Sequence, residues 1–154
     1  MMTRQLVVMI MADTMTPISD LLGLTSDALT ASVTERLEEL GLRLQEEMQN
    51  NLLSETDGTG ETANSIHAEV ENDGDNVVLK IYADEQAKYL EHGTGEYNDE
   101  GNGRGTPWRY QDRDGNWHTT TGMRAHPFIE PALDAVLPEL DGMVDDILKD
   151  LQGK

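Results

Sequence analysis

The residues of this chain that could do chemistry are four histidines, a surplus of carboxylates and one glycine-rich stretch. His67, His92, His118 and His126 offer imidazoles, but no two stand four apart on a helix as a zinc-hydrolase motif requires. Glu91-His92 is an adjacent pair whose side chains point in different directions. A metal-dependent hydrolase using His92, His118 and His126 is therefore the weaker of two functional readings. Asp112-Arg113-Asp114-Gly115-Asn116 resembles the first half of a calcium loop, yet Trp117 stands where that loop needs glycine and Met123 where it needs a bidentate glutamate. Gly101-Asn102-Gly103-Arg104-Gly105 could present backbone donors to a phosphate, but the Lys-Ser/Thr of a P-loop is missing and no helix opens behind it. Cysteine is absent, which removes thiolate nucleophiles, disulfides and cysteine-based zinc sites. No nucleophile-elbow pattern is present. The expectation is a protein that is not an enzyme, with no catalytic, cofactor-binding or metal residues.

The elements that must position these residues follow from length, charge and periodicity. At 154 residues the chain is expected to be a single domain. Hydrophobic residues make up 37% and aromatic residues 5%, so the core is lean and neighbouring subunits can complete it. Thirty acidic against 11 basic residues give a formal charge of -19, which argues against a surface that coats nucleic acid. Such a lysine-poor, acidic surface is tolerated in concentrated salt, where screening suppresses self-repulsion. No apolar run approaches the ~18 residues that span a bilayer, and no membrane partner is expected.

Leu6 to Ala12 follows Arg4 like a short secretory segment, but Asp13 follows at once and the run reads as a strand, making residues 1–15 an N-terminal strand or arm. Thr16-Pro17-Ile18-Ser19-Asp20 is a helix-start pattern that opens a short helix ending near Gly23. A longer helix runs from about Ser26 to Leu53, with Leu29, Val33, Leu37, Leu40, Leu44, Met48 and Leu52 on one stripe. Ser54 to Gly60 reads as loop. Ser65 to Glu71 and Asn76 to Tyr82 alternate as an antiparallel hairpin across Asn72-Asp73-Gly74-Asp75. Gln86 to Glu91 forms a short helix stopped by Gly93, and residues 95–106 are a flexible loop with four glycines. A two-residue Asp114-Gly115 turn would pair Asp112 with Trp117 and Tyr110 with Thr119, placing Trp108, Tyr110, Trp117 and Thr119 on one face, with one face buried. From Pro127 or Pro131 a C-terminal helix runs to about Gln152, kinked or broken at Pro138, and Phe128 fills the gap between it and the Trp108-Tyr110-Trp117 face. The fold class is α+β: a small, mainly antiparallel sheet of hairpins against a long N-terminal helix and a C-terminal helix.

Four blocks then occur in order: Thr59-Gly60-Glu61-Thr62-Ala63-Asn64-Ser65-Ile66, Ala87-Lys88-Tyr89-Leu90-Glu91-His92-Gly93-Thr94, Trp108 with its hairpin, and His126-Pro127-Phe128-Ile129-Glu130-Pro131-Ala132-Leu133. Over roughly residues 25 to 151 this order resembles the tail-component family of tailed double-stranded DNA viruses. The resemblance implies a structural virion protein of the head-tail junction: a neck, tail-completion or tail-terminator ring subunit joining capsid and tail. It implies a homo-oligomeric ring, a hexamer in the family's manner, made in the host cytoplasm. Neighbouring head-closure and tail-tube proteins would be its partners, and genome DNA would pass an acidic channel without tight binding. Tyr89, Glu91, His92, Gly93, Thr94, Arg104, Trp108, Arg109, His118 and Arg124 are the expected oligomer or partner contacts. The chain departs from the family pattern in its N-terminal strand, in His92 where a bulky apolar or aromatic residue is usual, and in its acidity, which points to a salt-rich host.

Overall fold

The computed structural model describes residues 8–11, 26–55, 60–72 and 76–152. The expected helix start at Thr16 to Asp20, most of the loop after Ser54, and the turn at Asp73-Gly74-Asp75 lie outside the described residues. The fold is α+β, built on the 30-residue helix α1 (Ser26–Glu55). Its Leu37, Leu40, Leu44, Met48 and Leu52 recur at three- and four-residue spacing and are at most 4% exposed. Burying each such side chain is worth about 1.5–3 kcal/mol. Gly41, inside this stripe, would cost the helix about 1 kcal/mol relative to alanine on intrinsic propensity. Its reason is space: a Cβ there would stand 2.7 Å from Leu79 Cδ1 and 3.0 Å from the Ala68 Cβ.

The surface that Gly41 lets α1 approach is an antiparallel sheet in the order β1-β3-β2, formed by β1 (Val8–Met11), β2 (His67–Asn72) and β3 (Val77–Tyr82). Ala68 pairs with Ile81 and Val70 with Leu79, the alternation expected from the sequence, and Leu79 and Ile81 are buried. Val8 opposite Ile81 and Ile10 opposite Leu79 make Val8–Met11 a strand, within the apolar run that predicts one. A short helix, α2 (Gly60–Ser65), precedes β2, between the expected end of the loop at Gly60 and the expected start of the strand at Ser65. Its buried Thr62 and Ala63 face the body of the fold.

After α3 (Gln86–His92) and a 3-10 turn at Gly95–Tyr97, the chain makes the hairpin β4 (Trp108–Gln111) and β5 (Trp117–Thr120). It then enters α4 (Ile129–Val136) and α5 (Glu139–Gln152), which are separated at Pro138 where the ring removes the N–H that a continuous helix needs. Phe128, Ala132 and Val136 join the α1 leucines in one core, and Ile147 of α5 is buried. Ion pairs from Arg36 to Asp150 and from Arg43 to Glu139 tie α5 to α1.

The hairpin corrects the expected register. Tyr110 stands opposite His118 and Gln111 opposite Trp117, so Trp108, Tyr110, His118 and Thr120 share one face and Trp117 lies on the other with Arg109. A two-residue turn of the expected kind needs positive φ at Asp114, and among the described residues only glycines have it. The Asp112 side chain closes a longer loop instead: its Oδ1 accepts the Asn116 N–H at 2.8 Å, its carbonyl accepts the Gly115 N–H at 3.1 Å, and Gly115 takes φ +87°. That single-residue slip exchanges the partners on each face. Neither face is buried, and Phe128 sits among helix and sheet residues in a core that contains no hairpin residue.

Candidate functional site

The site grows out of the two ends of α3. At its start, Asp84 Oδ1 accepts the N–H groups of Gln86 and Ala87 at 3.0 and 3.2 Å, capping the helix. Asp84 is itself held by α2: the Thr62 hydroxyl donates to Asp84 Oδ2 at 3.0 Å, and the Ser65 hydroxyl accepts the Asp84 N–H at 2.9 Å. The sequence block around Thr62 and Ser65 therefore orients the block that contains Tyr89.

At the other end, Glu91 is only 7% exposed. Its carboxylate accepts the N–H groups of Phe128, Ile129 and Glu130 at 2.7, 2.9 and 3.1 Å, the free donors at the start of α4. Three charge-assisted hydrogen bonds are what make a buried carboxylate tolerable. The Leu90 carbonyl accepts the His126 N–H at 2.7 Å, and Asn51 of α1 donates to the Phe128 carbonyl at 3.3 Å. Glu91, expected among the outward contacts, is thus spent inside the chain.

Beyond α3 two backbone segments clasp each other. Thr94 and Glu96 donate N–H groups to the carbonyls of Met123 and Thr121 at 2.8 and 3.0 Å, and the Thr94 hydroxyl accepts the Met123 N–H at 2.9 Å. Gly95, at φ +64°, leaves no room for a side chain: a Cβ would lie 1.9 Å from the Thr121 carbonyl oxygen.

Between this clasp, the exposed side of α3 and the following loop lies a groove of about 420 Å³, lined by Lys88, Tyr89, Gly93, Thr94, Gly95, Asn98, Asn102, Gly103, Arg104 and Trp108. Five of the expected contacts come together here: Tyr89, Gly93, Thr94, Arg104 and Trp108. The Arg104 guanidinium lies 5.8 Å from the Trp108 ring centroid. The other expected contacts lie elsewhere. Arg109 sits 5.2 Å over Trp117 and Arg124 5.5 Å over Tyr97. His92 bonds Asp99 at 3.1 Å, and His118 bonds Asp112 at 2.7 Å while stacking on Tyr110. The bond to His118, then the Asn116 N–H, hold the Asp112 carboxyl below the usual aspartate range. His126 contributes its backbone to the α3 joint. His92, His118 and His126 do not gather, and among the described residues no group of three His, Asp or Glu side chains is arranged to hold a metal ion.

Sequence reasoning missed Lys88, Asn98 and Asn102 as groove residues. The signal for Asn98 was present: an asparagine in a glycine-rich loop braces its backbone, Asn98 Nδ2 donating to the Gly93 carbonyl at 3.1 Å and Asn98 Oδ1 accepting the backbone N–H of Asn102 at 3.4 Å. No family model, curated protein or solved structure matches this chain.

Proposed function

We propose that this chain is a structural subunit of the head-tail junction of a tailed double-stranded DNA virus, a neck, tail-completion or tail-terminator protein acting as a ring. The observation that carries the reading is where the resemblance-bearing blocks spend their side chains. Thr62 and Ser65 hold Asp84, Asp84 starts α3, and Glu91 at the end of α3 starts the helix that follows His126-Pro127-Phe128. Three separated blocks tied together through Asp84, which lies just before the second, and through the Glu91 carboxylate on the backbone of the third, specify a scaffold, and a scaffold residue set does not need a reacting group at its centre.

The open groove supports the same reading. Its lining mixes an exposed tyrosine, a tryptophan, an arginine and backbone from a glycine-rich loop, the composition of a contact surface between proteins. The surplus of carboxylates suits a channel through which a duplex slides, since phosphates meet like charge and find few lysines or arginines to grip them. It also suits a salt-rich host.

The test is disruption of the gene in the virus. Expected are DNA-filled heads and separate tails in the lysate, with joined particles restored when the protein is supplied in trans. Infectious, joined particles that lack the protein would overturn the proposal.

A further inference from the structure

Cations are unevenly partnered in this acidic chain. Among the described residues Arg36, Arg43, Lys80, Arg113 and Lys149 each have a carboxylate within 4.0 Å, whereas Lys88, Arg104, Arg109 and Arg124 have none. With 30 acidic residues available, a cation left without one stands where the chain's own acids do not reach. All four lie in the lobe between residues 88 and 124, as does the paired Arg113, and the three unpaired arginines have their guanidinium carbons 5.8, 5.2 and 5.5 Å from aromatic ring centroids.

The hairpin β4-β5 is an open part of this lobe. It pairs with no other strand among the described residues, and Tyr110 on one face and Trp117 on the other are 47% and 60% exposed. A two-stranded ribbon with both faces in water is marginal by itself. Arginine stacked on tryptophan is also the chemistry that protein interfaces enrich.

A surface of matching character exists on the same chain. Glu38 and Leu42 of α1, with Ala68, Glu69 and Val70 of β2, line a groove of about 460 Å³. Leu42 is 63% exposed, and it and Trp117 are the two most exposed large apolar side chains among the described residues. Among the described residues neither Glu38 nor Glu69 has a lysine or arginine within 4.0 Å, and Glu69 has the His67 ring at 3.7 Å. Among the described residues the strand beside the groove, β2, is an edge of its sheet, with β3 on one side only.

We propose that the hairpin of one copy seats in the Glu38–Glu69 groove of a second copy, with Trp117 against Leu42 and Arg109 between the two glutamates. The two surfaces differ, so the contact is heterologous and repeats head to tail until it closes. This deepens the ring-subunit reading and rests on it for closure; the contact itself follows from charge and exposure.

The chain has no cysteine, so a Leu42→Cys/Trp117→Cys double variant reports on this contact without background. Mild oxidation is expected to give a covalent ladder extending beyond dimer on a non-reducing gel, while either single variant stays monomeric. Both positions are exposed, and a far-UV spectrum equal to that of the parent protein accompanies the test. Arg109→Glu should reduce the sedimenting species to monomer, and adding Glu38→Arg with Glu69→Arg should restore the larger species. A double variant that cross-links no further than its singles overturns the proposal, as do dimers from Trp117→Cys alone, which would mean hairpin meeting hairpin. Duplex DNA binding that Arg109→Glu abolishes would assign the lobe to phosphates and likewise overturn it. A ladder from a protein absent from virion necks sinks the function and keeps the contact; no ladder from a protein seated at necks does the reverse.

Discussion

The joint at Glu91 and the hairpin at Trp117 use the same kinds of residue in opposite ways. At the joint a carboxylate is buried and saturated by three backbone donors from residues 37 to 39 positions away. At the hairpin the charged and polar groups bond mostly within a few residues of themselves, as Asp112 does with Asn116 and His118. The turn's tie to the body is the Arg113–Glu61 pair, whose side chains are 83% and 72% exposed. Desolvation decides what each arrangement is worth. A buried charge with all its partners dictates one geometry because every alternative leaves donors unmet, whereas an exposed pair is replaced by water at little cost. The joint therefore fixes shape, and the hairpin leaves its surface available for another chain.

The largest break in this comparison is Phe128→Ala. Phe128 is 1% exposed beside the Glu91 donors, and removing its ring should cost on the order of 3–5 kcal/mol, read as an early denaturant midpoint and loss of assembled particles. Glu91→Ala comes next. It strands the buried Phe128 N–H and its two neighbours, and a loss of about 2–3 kcal/mol is expected in chemical unfolding, with the α4 amides exchanging faster. If Glu91→Ala melted like the parent protein, the joint would be no stronger than the hairpin and the contrast would collapse.

The smallest effect is local and depends on pH. Asp112 titrates below the usual aspartate range because of His118 and Asn116. A lowered folded-state value means that its contribution is complete above about pH 4 and fades as the pH falls through that lower value. The same sign holds for Glu61, lowered by Arg113. The Trp117 indole resonance should thus shift on acidification while core resonances of Leu44 and Phe128 stay put, and Asp112→Asn should remove that shift. Core and hairpin signals moving together would show the two regions to be one cooperative unit.

What could be read from the sequence follows the same division. The α1 stripe, the β2-β3 pairing, the stop at Gly93 and the break at Pro138 were legible because each depends on local periodicity or on a backbone restriction. The hairpin register was not, because it turned on one side chain: Asp112 caps its own loop and defeats the Asp114-Gly115 turn. Glu91 was expected to contact a neighbour and was not legible as a cap, since nothing local says that a carboxylate will meet a helix beginning almost forty residues later. The groove was half legible, through Tyr89, Thr94 and Trp108, while Lys88 of α3 and the asparagines Asn98 and Asn102 lined it only once the glycine-rich loop folded against that helix.

The hydrogen bond between the Leu90 carbonyl and the His126 N–H has a consequence for how this chain can vary. It brings the two ends of the whole intervening excursion to one point, so residues 91 to 125 leave the body and return to it at the same place. Lengthening a closed excursion is cheap, about 0.6 kcal/mol for each doubling, and its ends need only preserve the spacing at Glu91 and Phe128. The excursion is thus an exchangeable cassette: its tip can be grown, shortened or traded to suit a new neighbour while the helices beneath it keep their packing.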